Sequence, residues 1–153
     1  NIDRLASEGM RFTHALSSNP VCSPTRATYL TGLIPSQHGV HSFLDPKFMM
    51  GNAAYNTLDE FTSLGEILRD EGYVCGLSGK WHLGANLTPS EGFTEWTTKP
   101  DGSTREFYDQ TIIENGQAFG DVLCEIRRSP VRSMESWTLK NQAARRISFT
   151  LVI

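Results

Sequence analysis

The sequence predicts an α/β fold, and three stretches carry that expectation. Leu58, Phe61, Leu64, Ile67 and Leu68 recur at three- and four-residue spacing, and Glu71-Gly72 closes the run. That period describes a helix with one apolar face. Tyr73-Val74-Cys75-Gly76-Leu77-Ser78 follows at once, and a short apolar run after a glycine describes a buried parallel strand. Helix, glycine turn and strand make half of a βαβ unit. The third stretch, Pro20 to Gly32, reads as a loop that becomes a helix.

From the start of the chain, Asn1 can cap a short helix over Ile2–Glu8, with Gly9 as its stop and Ile2, Leu5 and Ala6 on one face. Met10 to Leu16 alternates loosely around Phe12 and Thr13 and reads as a strand or extended arm. Ser17 to Val21 is loop, and it delivers the chain to Cys22. Ser23 is a natural N-cap, and Pro24 suits a first helical turn because its missing N–H has no partner there in any case. Gly32 can end the helix with φ > 0. Cys22 then lies at the positive end of a helix, where free N–H groups and the dipole favour an anion. Arg26 stands one turn further on, with a planar, permanently charged fork to offer an oxyanion.

Leu33 to Val40 is turn chemistry with buried anchors, and Leu44 to Asn56 has no period and reads as a surface loop. His38 and His41 admit two readings, a metal pair or a hydrogen-bonded loop beside Gly39. Thr57-Leu58-Asp59-Glu60 has the form of a capping box, so the helix is expected to begin there. The strand after it empties into Gly79-Lys80-Trp81-His82-Leu83-Gly84. Open α/β sheets bind ligands beyond the carboxyl ends of their strands, which places Lys80 and His82 well for chemistry. A phosphate-binding loop is excluded: Val74 stands where its first glycine belongs, and Trp81 follows the lysine. Pro89 to Trp96 reads as an aromatic loop, Asp101 to Gln110 as a polar loop near a substrate, and Thr111 to Gly116 as a hairpin strand and turn.

The 153 residues suffice for one domain with a core. The net charge of −3 offers no broad basic face for nucleic acid. No apolar run is long enough for a membrane-spanning helix. Three cysteines, Cys22, Cys75 and Cys124, suggest neither a disulfide framework nor a zinc site. On its own Cys22 could be inert packing. A thiol phosphatase loop would need its arginine further from the cysteine. A papain-like nucleophile would need a histidine that spacing does not identify.

Cys22-Ser23-Pro24-Thr25-Arg26, followed by a short apolar run and Thr31-Gly32, resembles the first signature of the sulfatase family, Cys-x-Pro-x-Arg with Thr-Gly behind it. Gly72-Tyr73 through Gly79-Lys80-Trp81-His82 resembles the second, with Cys75 where Thr or Ser is usual. The opening Asn1-Ile2-Asp3-Arg4-Leu5-Ala6 and the segment Gly92-Phe93-Thr94-Glu95-Trp96 are also similar to family phrases.

The resemblance implies a partial alkaline-phosphatase-like sandwich with a mostly parallel sheet, its first strand and C-terminal part missing. It implies a sulfuric ester hydrolase in which Cys22, converted to formylglycine by a formylglycine-generating enzyme, is nucleophile and metal ligand. Arg26 would stabilise the hydrated aldehyde, Lys80 would bridge nucleophile and sulfate, and His82 would orient the hydroxyl. A divalent cation, usually Ca²⁺, would act as Lewis acid. The substrate would be a small-molecule or carbohydrate sulfate ester, and family members are often periplasmic, secreted or lysosomal. Two other readings remain: a phosphonate or phosphodiester hydrolase of the same superfamily, and a non-catalytic remnant. The family's acidic metal ligands are expected before Asn1 and beyond the chain's end, so the chain alone should bind Ca²⁺ weakly and turn over little. Residues 1–120 read as the N-terminal part of a sulfatase catalytic domain. Residues 121–153, with Arg127, Arg128, Arg132, Lys140, Arg145 and Arg146, read as a tail in a shifted reading frame.

Overall fold

A computed structural model of the chain describes residues 1–101, 109–121 and 148–152. Its centre is β1 (Val74–Gly79), a strand buried along its middle four residues. It pairs in parallel on one side with β2 (Phe93–Thr98) and on the other with β5 (Ser148–Val152). Beyond β2 lie β3 (Gln110–Glu114) and β4 (Gln117–Asp121), each antiparallel to its neighbour, so the order is β4-β3-β2-β1-β5. Of these strands only β3 runs against the rest, and the sheet is mixed, with two parallel and two antiparallel pairings. Asn115 and Gly116, both at positive φ, form the tight turn between β3 and β4, the geometry a two-residue hairpin needs.

The helices are α1 (Ile2–Glu8), α2 (Cys22–Thr31), the single turn α3 (Pro35–His38) and α4 (Leu64–Asp70), with a 3-10 turn at Pro46–Phe48. One apolar cluster joins α2 to the sheet, and Leu68 of α4 packs against it. Ala27 and Leu30 from α2, Val40, Leu58, Cys75 and Leu77 from β1, Trp81, Leu83, Phe93, Trp96 and Ile113 are all buried in it. Trp81 packs edge-on to Trp96 at 4.9 Å between centroids, and its indole N–H donates to the Gly84 carbonyl at 2.8 Å. The turn after β1 is therefore folded onto the core by its own tryptophan.

Several expectations are corrected. α4 begins at Leu64, not Thr57. The capping box in use is Ser63 with Glu66: the Ser63 hydroxyl accepts from Glu66 N–H at 3.1 Å and the Glu66 carboxylate accepts from Ser63 N–H at 2.9 Å. Thr57 is diverted, since its N–H and hydroxyl both donate to the Leu83 carbonyl. Leu58 is buried in the core from a turn, ahead of the helix. The helix ends as expected. Gly72, at φ +87, donates to Arg69 and Tyr73 donates to Leu68, the paired bonds of a left-handed glycine stop.

Residues 10–16 form no strand, and Met10, Phe12 and Leu16 are exposed, as are Ile2 and Leu5 of α1. The aromatic stretch expected as loop is strand β2 from Phe93 on. Its entry is tight: the Ser63 hydroxyl donates to the Glu91 carbonyl at 2.9 Å, and a Cβ on Gly92 would stand 2.3 Å from the Gly65 carbonyl carbon. Leu44–Asn56 is not wholly surface, because Met49 is buried and the Phe48 and Met49 carbonyls accept from Ala85 and Asn86. The helix α2 starts at Cys22 with Val21 as N-cap, slightly earlier than Ser23. The predicted 101–110 loop lies almost wholly outside the described residues. Of the tail, only the backbone of 121 and of 148–152 lies within them.

Ser63→Ala should lower stability by about 1–2 kcal/mol, through loss of the cap and of a buried hydroxyl's bond. A shift of the urea midpoint at unchanged slope checks it.

Candidate active site

Local bonds bring Cys22 to its place. The Asn19 side chain accepts from Val21 N–H at 2.8 Å, and the Thr25 hydroxyl donates back to the Asn19 carbonyl at 2.5 Å. The loop is thereby folded over the first turn of α2. At the far end, Gly32 takes φ +70 and its N–H returns to the Thr28 carbonyl, as the sequence suggests.

β1 ends at Gly79 with φ +123, and His82 itself sits at φ +59. A non-glycine residue in that region is uncommon and costs of order 1–3 kcal/mol, which the surroundings must hold in place. Trp81 and Leu83, on either side of His82, are fully buried and do that. Trp81 N–H also donates to the Thr98 hydroxyl at 3.1 Å, so the turn is anchored to the end of β2.

The two segments meet. Cys22 Sγ lies 3.1 Å from His82 Nδ1. Arg26 Nη1 donates to the Lys80 carbonyl at 2.6 Å. His82 Nε2 lies 3.2 Å from the Leu44 carbonyl, and the Phe43 ring stands edge-on to the imidazole at 4.5 Å between centroids. A carbonyl only accepts, so Nε2 carries the proton, and in the neutral ring Nδ1 is left as an acceptor for the group at position 22. Burial lowers the His82 pKa, and the nearby Lys80 ammonium and Arg26 lower it further. The Leu44 carbonyl, a larger influence than Arg26, and Asp101, a smaller one, act the other way, and the net direction is down. Burial also lowers the Arg26 pKa, offset in part by Cys22 and Tyr29, yet a guanidinium stays charged at any working pH. Arg26 Nε is buried with no partner.

All four residues singled out in the sequence are thus at one place: Cys22, Arg26 and His82 by direct contact around it, and Lys80 by its backbone and its charge. His38 is elsewhere. Its Nδ1 accepts from Val40 N–H at 3.1 Å and its Nε2 faces the Thr28 hydroxyl at 3.2 Å, which is the hydrogen-bonded loop rather than a metal pair. Cys75 faces the Gly65 carbonyl at 3.6 Å from within β1, so the departure from the usual Thr or Ser leaves a weak donor in a core position. What the sequence reading missed is Phe43 and the Leu44 carbonyl. No side-chain pattern announces a carbonyl as a histidine's partner.

No group of three or more His, Cys, Asp or Glu side chains that could hold a metal occurs among the described residues. A calcium ion takes six to eight oxygens, whereas the polar groups around Cys22 are a guanidinium, an ammonium and an imidazole. The described residues alone do not fit a calcium site. No helix among them is long and apolar enough to cross a membrane.

A family model described as Sulfatase matches residues 1–124. The chain belongs to the sulfatase family. It is 38% identical to dog N-acetylgalactosamine-6-sulfatase over 111 residues, covering 66% of this chain and 20% of that protein. Human steryl-sulfatase is 42% identical over 95 residues, covering 61% and 16%. A solved structure from work on the metabolism of multiple glycosaminoglycans by Bacteroides thetaiotaomicron superposes with TM-score 0.77 at 22% identity, covering 99% of this chain and 35% of that one. Another, in complex with its substrate D-glucosamine-2-N,6-O-disulfate, gives TM-score 0.66 at 24% identity, covering 99% and 28%. These structures share the fold. This sulfatase chain spans about a fifth of the length of the curated relatives.

The two buried histidines set a pH dependence. Burial, the largest cause at each, lowers the folded pKa of His38 and His82 below the ordinary value of about 6.5, so the unfolded chain binds the proton more readily. The stability that they contribute is full above about pH 6.5 and is lost as pH falls through that value towards the folded pKa. Glu91, whose pKa burial raises, works in the opposite sense. Urea unfolding at pH 5 and 7.5 should show a lower midpoint at pH 5, and His82→Gln should narrow the gap between the two.

Proposed function

We propose that the protein to which this chain belongs is a sulfuric ester hydrolase acting on a small-molecule or carbohydrate sulfate ester, with position 22 as nucleophile. The observation that carries the reading is the approach of Cys22 Sγ to His82 Nδ1 at the start of α2, with Arg26 tied to the Lys80 carbonyl beside it. Family membership supports a sulfate ester over a phosphonate or phosphodiester. The names of the relatives and the disulfated glucosamine bound to one structural neighbour support sulfated sugars among the substrates.

The roles follow from charge and direction. A sulfuryl group in transfer is a dispersed anion, so fixed donors aimed at its oxygens do most of the catalytic work. Arg26 Nε–H, buried without a partner, is a donor free for an anion or for the oxygens at position 22. Lys80 brings a mobile point charge to bridge nucleophile and sulfate. His82 Nδ1 accepts a proton from the group at position 22 and so sets the direction of its lone pair. In the structure the Cys22 thiol stands in for that group. As formylglycine, the residue would supply a hydrated aldehyde: one oxygen attacks sulfur as the S–O bond to the substrate alcohol breaks and the alcohol leaves with a proton, and the second hydroxyl then gives up its proton as the C–O bond to sulfate breaks, releasing sulfate and restoring the aldehyde. The calcium ion of the family would supply Lewis acidity, with donors drawn from outside the described residues.

Mass spectrometry of the Cys22 peptide, from a host that carries a formylglycine-generating enzyme, should give the aldehyde mass. A free thiol there would favour the non-catalytic remnant. The 153-residue chain itself should show little or no aryl sulfate hydrolysis and weak calcium binding. In a full-length homologue, replacing the lysine that matches Lys80 with alanine should lower kcat/KM for a sulfate ester by about 10²-fold or more. Faster turnover of phosphate esters than of sulfate esters by that homologue would overturn the substrate assignment.

A further inference from the structure

Ser23 follows the nucleophile position and occupies a variable place in the Cys-x-Pro-x-Arg pattern, so the mechanism assigns it nothing. It is nevertheless completely buried. A buried hydroxyl needs a partner, and here the Leu44 N–H donates to Ser23 Oγ at 3.4 Å, a long bond beyond the usual N–H···O range of about 2.7–3.2 Å. The other face of the same residue carries the Leu44 carbonyl, which accepts from His82 Nε2 at 3.2 Å. His82 Nδ1 then closes on Cys22 Sγ at 3.1 Å, and Cys22 is bonded to Ser23 along the chain. The four residues form a ring: Cys22, His82, Leu44, Ser23.

We propose that Ser23 is a positioning residue, whose hydroxyl anchors residue Leu44 by its N–H so that the Leu44 carbonyl, in the next peptide along, stays on His82 Nε2, fixes the proton there and leaves the Nδ1 lone pair facing residue 22. Two features make the arrangement sensitive to this one hydroxyl. His82 is held at positive φ with its ring packed edge-on against Phe43, so the ring cannot turn freely to find another acceptor. Phe43 and Leu44 belong to no helix or strand, so no ladder of backbone bonds fixes the Leu44 carbonyl. Without Ser23 Oγ, the Leu44 N–H loses its bond, and rotation about the Leu44 backbone dihedrals can then carry its carbonyl away from His82 Nε2. The imidazole then has no reason to prefer Nε2–H over Nδ1–H. With the proton on Nδ1, the ring would donate to position 22 where it should accept. The proposal rests on the hydrolase reading for its consequence in catalysis, while the proton position can be tested without it.

The test is two-bond ¹H–¹⁵N correlation NMR of this chain, labelled in its histidine rings and left unmodified at Cys22, at one fixed neutral pH. His82 in the native chain should show the Nε2–H pattern, with one protonated and one bare nitrogen. Ser23→Ala should shift both ring nitrogens towards averaged values as the Nδ1–H form becomes populated. Ser23→Thr, which keeps the hydroxyl, should restore the native pattern. His38, whose partners are Val40 and Thr28, should be unchanged in all three and serves as the internal control. An Nδ1–H pattern for His82 in the native chain overturns the proposal. So does a Ser23→Ala chain that keeps the native His82 pattern while its melting temperature falls, because Ser23 would then be packing alone. If Ser23→Ala does not fold, the native chain and Ser23→Thr decide: loss of the Nε2–H pattern in the folded threonine variant also overturns it. Failure of the hydrolase reading would appear separately, as an absence of sulfate ester turnover in the full-length protein.

Discussion

The site depends on two segments, 54 to 60 residues apart in sequence, being held face to face: the start of α2 and the turn after β1. Two polar bonds mark the junction, but they do not hold it. A hydrogen bond contributes about 1 kcal/mol net, somewhat more when one partner is charged. The apolar contact beneath is larger. Ala27 and Leu30 under α2 and Trp81 and Leu83 under the turn share one buried cluster, and fully burying a single large apolar side chain contributes about 1.5–3 kcal/mol. Packing brings the segments together, and the Arg26 and His82 bonds choose the register in which they meet.

Charge and solvation are divided among the three basic side chains in a way that suits one anion. Arg26 is tethered and keeps its charge in partial burial. Lys80 is half-buried and carries its charge on a flexible stem. His82 is buried so completely that its neutral form is favoured, and the two cations nearby press in the same direction. An imidazolium would add a third positive charge and lose its ability to accept. Desolvation thus converts what looks in the sequence like three cations into two cations and a directed acceptor.

The chemistry-bearing residues were legible because their spacing relative to a glycine, a proline and a strand end carries physical meaning. The α2 stop at Gly32, the β1 strand, the glycine stop at Gly72 and the turn at Asn115-Gly116 could all be read from local rules. The start of α4 could not. Thr57-x-x-Glu60 and Ser63-x-x-Glu66 both satisfy the capping pattern, and what decides between them is the Leu83 carbonyl, 26 residues downstream, which captures Thr57. β2 was obscured for a similar reason. Thr and Glu between Phe93 and Trp96 give it no clear apolar run, and its neighbours β1 and β3 supply the reason to extend. The apolar residues of α1 were visible as a face, but the sequence did not say that this face is exposed in the structure.

β1 takes its two partners from very different distances along the chain. β2 arrives soon after it, whereas Val74 pairs with Ser148, 74 positions later. At a synthesis rate of about 5–20 residues per second, that edge of the central strand stays without its neighbour for roughly 4–15 seconds on the ribosome. Pairings of such high sequence separation are also the slow ones in refolding. The strand that delivers Lys80 and His82 therefore has one open edge while the protein is being made.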